Sequence, residues 1–356
     1  VRKPTLKDVA EAAGVHSATA SRALNPSTRS LVSAETARRV LRAAESLGYR
    51  ANPIARSLRT SRTRTVGLLV PDLAIPLFPP IVRAAEDVLA QHGYDTFVAS
   101  TDDDATREQR LVDSLVARQV DGLIIATGRR DHALVEPLRD EGIKIVWINR
   151  RANSPDIAAV IPDDPSGMTQ AVEHLVGLGH TRIAHLAGPF STSTGVMRSA
   201  AFRHAAGDAG VADDPALIVE CAGWFEADGA TALRELLDRG VEFTAVITAN
   251  DLIALGCYDV FAEAGIDCPE QISLVGYNDI PFLDKLRPPM TSVRIPQAAV
   301  GAEAARLLLD CIEEPSRMPG TVLMPVTLMV RGSTASPPRR PLRAASNPTP
   351  SFSPTS

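Results

Sequence analysis

Thr5-Leu6-Lys7-Asp8-Val9-Ala10-Glu11-Ala12-Ala13-Gly14-Val15-His16-Ser17-Ala18-Thr19-Ala20-Ser21-Arg22-Ala23-Leu24-Asn25 reads as two short helices joined by a tight turn. Thr5-Leu6-Lys7-Asp8 has the form of a capping box, in which a hydroxyl and a carboxylate three residues on satisfy N–H groups that a helix start leaves unpaired. Leu6, Val9, Ala10 and Ala13 then share one helical face, and Gly14 is the expected stop. A second helix over Ser17–Leu24 turns Ala20, Ala23 and Leu24 inward and leaves Ser17, Ala18, Thr19 and Arg22 on other faces. After the turn-forming run Asn25-Pro26-Ser27-Thr28-Arg29, Ser33 caps a third helix with Val40, Leu41, Ala44 and Leu47 apolar and Gly48 at its end. Two short helices linked by a Gly turn and braced by a third describe a helix-turn-helix domain.

The charge distribution points the same way. Residues 1–64 hold 13 Lys+Arg against 4 Asp+Glu, whereas the remainder holds 24 against 38. A basic head on an acidic body is expected where only one end of a molecule meets a phosphate backbone. Next comes Asn52-Pro53-Ile54-Ala55-Arg56-Ser57-Leu58, with Asn at an N-cap and Pro at the first helical position. So short a helix is unstable alone in water and is expected to form only with a partner or on DNA. The basic residues 59–64 read as its linker.

From Thr65 short apolar runs alternate with amphipathic helical stretches, the runs lying at 66–70, 96–99, 123–126, 145–148, 183–187, 245–248 and 272–275. Continuously apolar strands separated by helices imply parallel sheets covered on both faces, and the length of this region suits two doubly wound α/β lobes. From Ser333 six prolines stand among Ser, Thr and Arg, so the tail 333–356 is expected to be disordered.

Several function classes fall away. The 356 residues, 45% apolar and 22% charged, suit two or three soluble domains. Cys221, Cys257, Cys268 and Cys311 lack metal-ligand spacing and read as buried thiols. No run is long and apolar enough for a membrane span, and the first residues do not read as a signal peptide, so a reducing cytoplasm is expected. Gly188 and Gly195 are not followed by the Lys-Ser/Thr of a phosphate-binding loop, and neither GxSxG nor HExxH occurs. His174, His180 and His185 read as structural, and no cofactor is expected.

The head, together with Ala55-Arg56-Ser57-Leu58, Gly67-Leu68-Leu69-Val70-Pro71-Asp72, Asp121-Gly122-Leu123-Ile124, Leu178-Gly179-His180-Thr181-Arg182-Ile183, Ala249-Asn250-Asp251, Val275-Gly276-Tyr277-Asn278-Asp279-Ile280-Pro281 and Arg287-Pro288-Pro289-Met290-Thr291, resembles the lactose/galactose repressor (LacI/GalR) family as far as about Gly332. The resemblance implies a helix-turn-helix headpiece at 1–50, a hinge helix and linker at 51–64, and a two-lobed sensor at 65–332 like the periplasmic sugar-binding proteins. The first lobe would span about 65–162 and 292–322, the second about 163–291 and 323–332.

It also implies roles. Ser17, Ala18 and Arg22 would read base edges, Arg22 by a paired hydrogen bond to guanine, while Thr5, Thr19, Ser21 and Asn25 would meet phosphate. Where the family usually starts the recognition helix with Ser this chain has His16, a poorer cap, so Ser17 is expected to take over capping. Leu58, beside Ala55, would enter the minor groove with its twin from a second subunit, which implies a homodimer on an imperfectly palindromic operator. The small-molecule effector would lie among Leu77, Phe78, Asn149, Thr194, Arg198, Trp224, Asn250 and Asn278. The family often carries Asn where this chain has Ile75 and Asp where it has Asn149 and Asn278, which weakens the expected grip on paired hydroxyls. A carbohydrate-like effector is favoured; a nucleoside or an acid, and more remotely a sugar-binding enzyme or transport protein, are the alternatives.

Overall fold

The computed structural model describes residues 4–25, 28–49, 62–131, 134–153, 156–211, 214–314 and 320–338. The chain forms two compact units, Val1–Arg64 and Thr65–Ser356. Ala55, Leu58 and the expected hinge helix lie outside the described residues.

In the first unit α1 (Leu6–Ala12), α2 (Ser17–Leu24) and α3 (Ala34–Ser46) follow the pattern read from the sequence. The capping box is present: the Asp8 carboxylate accepts from the Thr5 N–H at 2.7 Å, and the Asp8 N–H donates to the Thr5 hydroxyl at 3.4 Å. Gly14 makes the turn at φ 60°, a backbone state that costs glycine little. The core is thin and alanine-rich, with Val9, Ala10, Ala13, Ala20, Ala23, Ala37, Val40 and Ala44 all buried. Arginines serve the helix ends, Arg39 Nε donating to the Ala13 carbonyl at 2.7 Å and Arg29 Nε to Ala23 at 3.0 Å. The capping expectation for α2 is corrected: His16 is the N-cap after all, its Nδ1 accepting the Ala18 N–H at 3.3 Å. An imidazole nitrogen does here what a serine oxygen does elsewhere.

The second unit contains two six-stranded sheets. The first comprises β1 (Thr65–Val70), β2 (Asp95–Ser100), β3 (Gly122–Ile125), β4 (Lys144–Ile148), β5 (Ala158–Pro162) and β11 (Thr321–Met324), ordered β11-β5-β4-β3-β1-β2. The second comprises β6 (Ile183–Ala187), β7 (Ile218–Glu220), β8 (Ala245–Thr248), β9 (Ser273–Asn278), β10 (Thr291–Arg294) and β12 (Thr327–Met329), ordered β12-β10-β9-β8-β6-β7. Every pairing is parallel except β10 with β12. Strands β3, β6, β8 and β9 are buried along their whole length, as sheets covered on both faces require. Strand order reverses between β1 and β3 and between β6 and β8. Loops at the carboxyl ends of such reversals form the ligand crevices of doubly wound sheets.

The chain crosses between lobes after β5, after β10 and between β11 and β12. Two expected boundaries therefore move. Thr291–Arg294 pairs throughout with β9, so the first lobe does not resume at 292, and Thr321–Met324 pairs throughout with β5, so the second lobe does not resume at 323. The Asp163 N–H donates to the Met324 carbonyl at 2.9 Å and so ties the first crossing to the third.

The tail expectation is corrected for residues 333–338. Ser333 is buried, its hydroxyl accepting the Thr291 N–H at 2.8 Å and donating to the Leu274 carbonyl at 2.6 Å. His180 Nε2 lies 2.8 Å from the Ala335 carbonyl and His174 Nε2 2.9 Å from the Thr334 hydroxyl. Proline-rich composition misleads here because side chains on the lobe supply the partners that the segment lacks within itself. Of the cysteines, Cys221 and Cys257 are buried, whereas Cys268 and Cys311 are only half-buried.

His185, in the middle of β6, is fully buried, stacks on Phe202 at 4.8 Å and places Nδ1 2.9 Å from the Ile247 carbonyl. Burial pushes its pKa down from 6.5 to about 4. The unfolded chain takes up this proton near 6.5 and the folded chain resists it, so the contribution is whole above that pH and is lost as pH falls toward 4. A displacement of that size is worth about 3 kcal/mol. Asp251, raised by burial to about 7, acts oppositely, its contribution being lost as pH rises from 3.8 through 7. Denaturant midpoints measured across pH for wild type and His185→Gln separate the two. The variant should lose about 2 to 3 kcal/mol less than wild type between pH 6.5 and 4, and parallel curves would refute a neutral buried imidazole.

Candidate functional site

In the first unit Ala18 and Arg22 are exposed one helical turn apart on α2, with Ser17, Thr19, Ser21 and Asn25 half-buried around them. Because His16 caps the helix, Ser17 is released from that duty. Thr5 is less available than expected, since its hydroxyl donates to Asp8 at 2.8 Å.

In the second unit the expected effector residues fall on loops and helix starts at the carboxyl ends of the strands. Asn149 follows β4 at φ 59°, and Asn278 ends β9 at φ 110°. Both are buried, and neither side-chain oxygen has a hydrogen-bond partner among the described residues. Buried amide oxygens are rarely left in that state. Thr194 stands in the first turn of the helix Ser193–Asp208 and Arg198 one turn further on. Arg198 is 2% exposed, and its Nε lies 2.9 Å from Asp164 Oδ1. Its Nη1 donates to the Ala249 carbonyl at 2.6 Å, and its guanidinium carbon lies 3.8 Å from the centre of the Tyr277 ring. Burial pushes the Asp164 carboxyl up, while Arg198 and the Tyr277 hydroxyl pull it back down.

Other members of the expected set are placed differently. Leu77 and Phe78 belong to the apolar core, at 4% and 2% exposure. The Asn250 amide is spent on structure, accepting the Ile253 N–H at 2.8 Å and donating to the Trp224 carbonyl at 2.9 Å. Trp224 lies against Gly188, where an added Cβ would come within 2.3 Å of the indole, and Arg150 covers its ring with the guanidinium carbon 4.9 Å from the centroid.

A cavity of about 360 Å³ opens beside this cluster, lined by Asn149 and Thr194 of the expected set and by Arg151, Asp163, Asp164 and Ser193. Met197 and Leu323 supply apolar wall. The lobes touch at its edge: the Arg130 N–H donates to the Ser191 carbonyl and the Arg151 N–H to the Ser193 hydroxyl, both at 3.0 Å. Asp163, Asp164 and Arg150 were not anticipated. For the two aspartates the signal is present in Pro162-Asp163-Asp164-Pro165, two carboxylates between prolines where one lobe hands over to the other, but only the fold brings Asp164 against Arg198, 34 residues away.

A helix-turn-helix head followed by two parallel-sheet lobes with a cleft at their strand ends defines a class: a DNA-binding transcription regulator with a periplasmic-binding-protein-like effector domain. Residues 5–52 match the family described as bacterial regulatory proteins, lacI family, and residues 172–334 match the periplasmic binding protein-like domain. The chain belongs to the lacI family. It is 37% identical over 340 residues to the HTH-type transcriptional regulator CelR of Thermobifida fusca, covering 93% of this chain and 98% of that protein. Identity to the HTH-type transcriptional repressor CytR of Escherichia coli (strain K12) is 33% over 332 residues, covering 93% and 96%. Among solved structures, a Lac repressor dimer bound to operator and the anti-inducer ONPF superposes with a TM-score of 0.82 at 29% identity, covering 94% and 100% of the two chains. A CelR–cellobiose complex gives 0.72 at 34% identity, covering 93% and 99%. These relatives are regulators, not enzymes, and no helix among the described residues is long and apolar enough to cross a membrane.

Proposed function

We propose that the chain is a homodimeric repressor whose affinity for an imperfectly palindromic operator is set by a carbohydrate-like effector held between the lobes. The observation that carries the effector reading is the pair of buried, unpartnered amide oxygens on Asn149 and Asn278, one from each lobe, at the carboxyl ends of the sheets. Hydroxyl groups are the donors that such acceptors take. That CelR is known in complex with cellobiose supports a sugar as the class of ligand. A ligand acts only by binding one lobe arrangement better than another. Lobe rotation would move the two linkers that lead to the Leu58 residues and so unseat the paired wedge.

On DNA, Arg22 reads guanine from the exposed face of α2 beside Ala18, and Ser17 is free to help. A good paired contact is worth about 1 to 3 kcal/mol, so Arg22→Ala should weaken operator binding by about 5- to 150-fold and relax preference at one base position. The measurement is binding of purified protein at fixed salt to DNA upstream of its own gene, with Leu58→Ala alongside and a panel of sugars and nucleosides added. Palindrome-centred binding that both substitutions weaken and one sugar shifts is the expected result. Sequence-independent binding that no compound alters would overturn the proposal.

A further inference from the structure

We propose that the acid pair at the first lobe crossing, Asp163 and Asp164, makes the effector site selective for uncharged polyhydroxylated ligands and closes it to their carboxylate and phosphate counterparts. This rests on reading the cleft as an effector site. The charged side chains on the cavity wall are Arg151, Asp163 and Asp164. Behind them stands Arg198, buried and paired to Asp164 at 2.9 Å. It also commits Nη1 to the Ala249 carbonyl and the face of its guanidinium to Tyr277. The other buried guanidinium of the cleft, Arg150, has Asp103 at 3.3 Å and lies over Trp224. Each of these two buried cations thus already has a carboxylate, and the wall itself carries two carboxylates, Asp163 and Asp164, to the one guanidinium of Arg151.

The helix starts beside the cavity have part of their donor capacity already taken. At the start of Asp164–Gly177 the Ser166 N–H is taken by the Asp163 carboxylate at 3.1 Å, and at the start of Ser193–Asp208 the Gly195 N–H is taken by the Thr192 hydroxyl at 3.2 Å. An anionic ligand would meet two carboxylates beside the single guanidinium of Arg151 in a half-open cleft, where like charges repel more strongly than in bulk water. Hydroxyl groups meet the reverse situation, because carboxylates and the free Asn149 oxygen accept what they donate. The acceptors that the sequence lacks at positions 149 and 278 are therefore supplied from the crossing.

Calorimetric titration of the full chain with matched sets tests this: glucose, galactose and ribose, each beside its uronate or aldonate and its terminal phosphate, together with cellobiose beside cellobionate. A neutral sugar should bind at least about a hundredfold more tightly than its anionic forms. Asp164→Asn should narrow that ratio about tenfold or more, because it leaves Arg198 unpaired, while Asp164→Glu should keep it. An anionic form that binds wild type as tightly as its neutral parent overturns the inference and leaves the effector site standing, as does an unchanged ratio in Asp164→Asn. If that variant does not fold, the wild-type ratio and Asp163→Asn decide the matter. Absence of binding by every member of the panel overturns both this inference and the carbohydrate reading.

Discussion

Replacing Arg198 with methionine should destabilise the protein by about 3 to 5 kcal/mol and abolish its response to effector. Arg198 and Asp164 are both buried, and the cost of removing one partner is chiefly that of leaving the other charge unpaired. Methionine keeps an unbranched apolar stem and loses the ion pair, the bond to the Ala249 carbonyl and the guanidinium's contact with the Tyr277 ring. Replacing both partners is a different matter: Arg198→Met with Asp164→Asn removes the orphaned charge and should recover a large part of the loss. Denaturant unfolding of the two single variants and the double variant checks this. Losses that simply add would mean that the pair is not coupled as its 2.9 Å separation requires. In operator-binding assays Arg198→Met should still recognise DNA where enough protein folds, since the head forms a compact unit of its own.

How far the sequence could be read depended on whether the deciding interaction was local. Thr5 with Asp8, the stop at Gly14, and the apolar runs of β1, β3, β4, β6 and β8 all declare themselves within a few residues, and each is found in the fold. The strands β5, β7, β10, β11 and β12 went unread. They are three to five residues long and become strands only by pairing with partners far away, as Thr321–Met324 does with Ala159–Pro162. Ser333 carried no local signal either, because its order comes from Thr291 and Leu274. The site divides in the same way. Asn149, Thr194, Arg198 and Asn278 were reached by resemblance and do stand at the strand ends. Asp164 could not be reached so, because its significance is its contact with Arg198, and Phe78 and Asn250 were assigned to a ligand although packing and capping already occupy them.

The second large effect is expected at Gly256, where substitution by alanine should cost about 3 kcal/mol or more, the upper end for overpacking a well-filled interior. An added Cβ would lie 1.9 Å from the Glu226 carbonyl oxygen and 2.7 Å from the Ala230 nitrogen. The contact is reciprocal, since a Cβ on Gly229 would lie 2.2 Å from the Ile253 carbonyl oxygen. The helices Glu226–Asp238 and Asp251–Ala264 therefore touch backbone to backbone, and no flexible side chain can move aside to relieve the clash. These same helices hold the cleft. The first begins two residues after Trp224, and the second is capped by Asn250, whose amide donates to the Trp224 carbonyl at 2.9 Å. Forcing them apart should break that bond, release Trp224 from beneath Arg150 and weaken effector binding along with stability. Gly207 offers the contrast: it lies within Ser193–Asp208, an added Cβ there meets nothing within 4 Å, and Gly207→Ala should stabilise by about 0.5 to 1 kcal/mol through lost freedom of the unfolded chain. Melting curves of the two alanine variants should move in opposite directions from wild type. A small change at Gly256 would mean that the two helices sit further apart than their backbones are placed here, and the support inferred for Trp224 would fall with that contact.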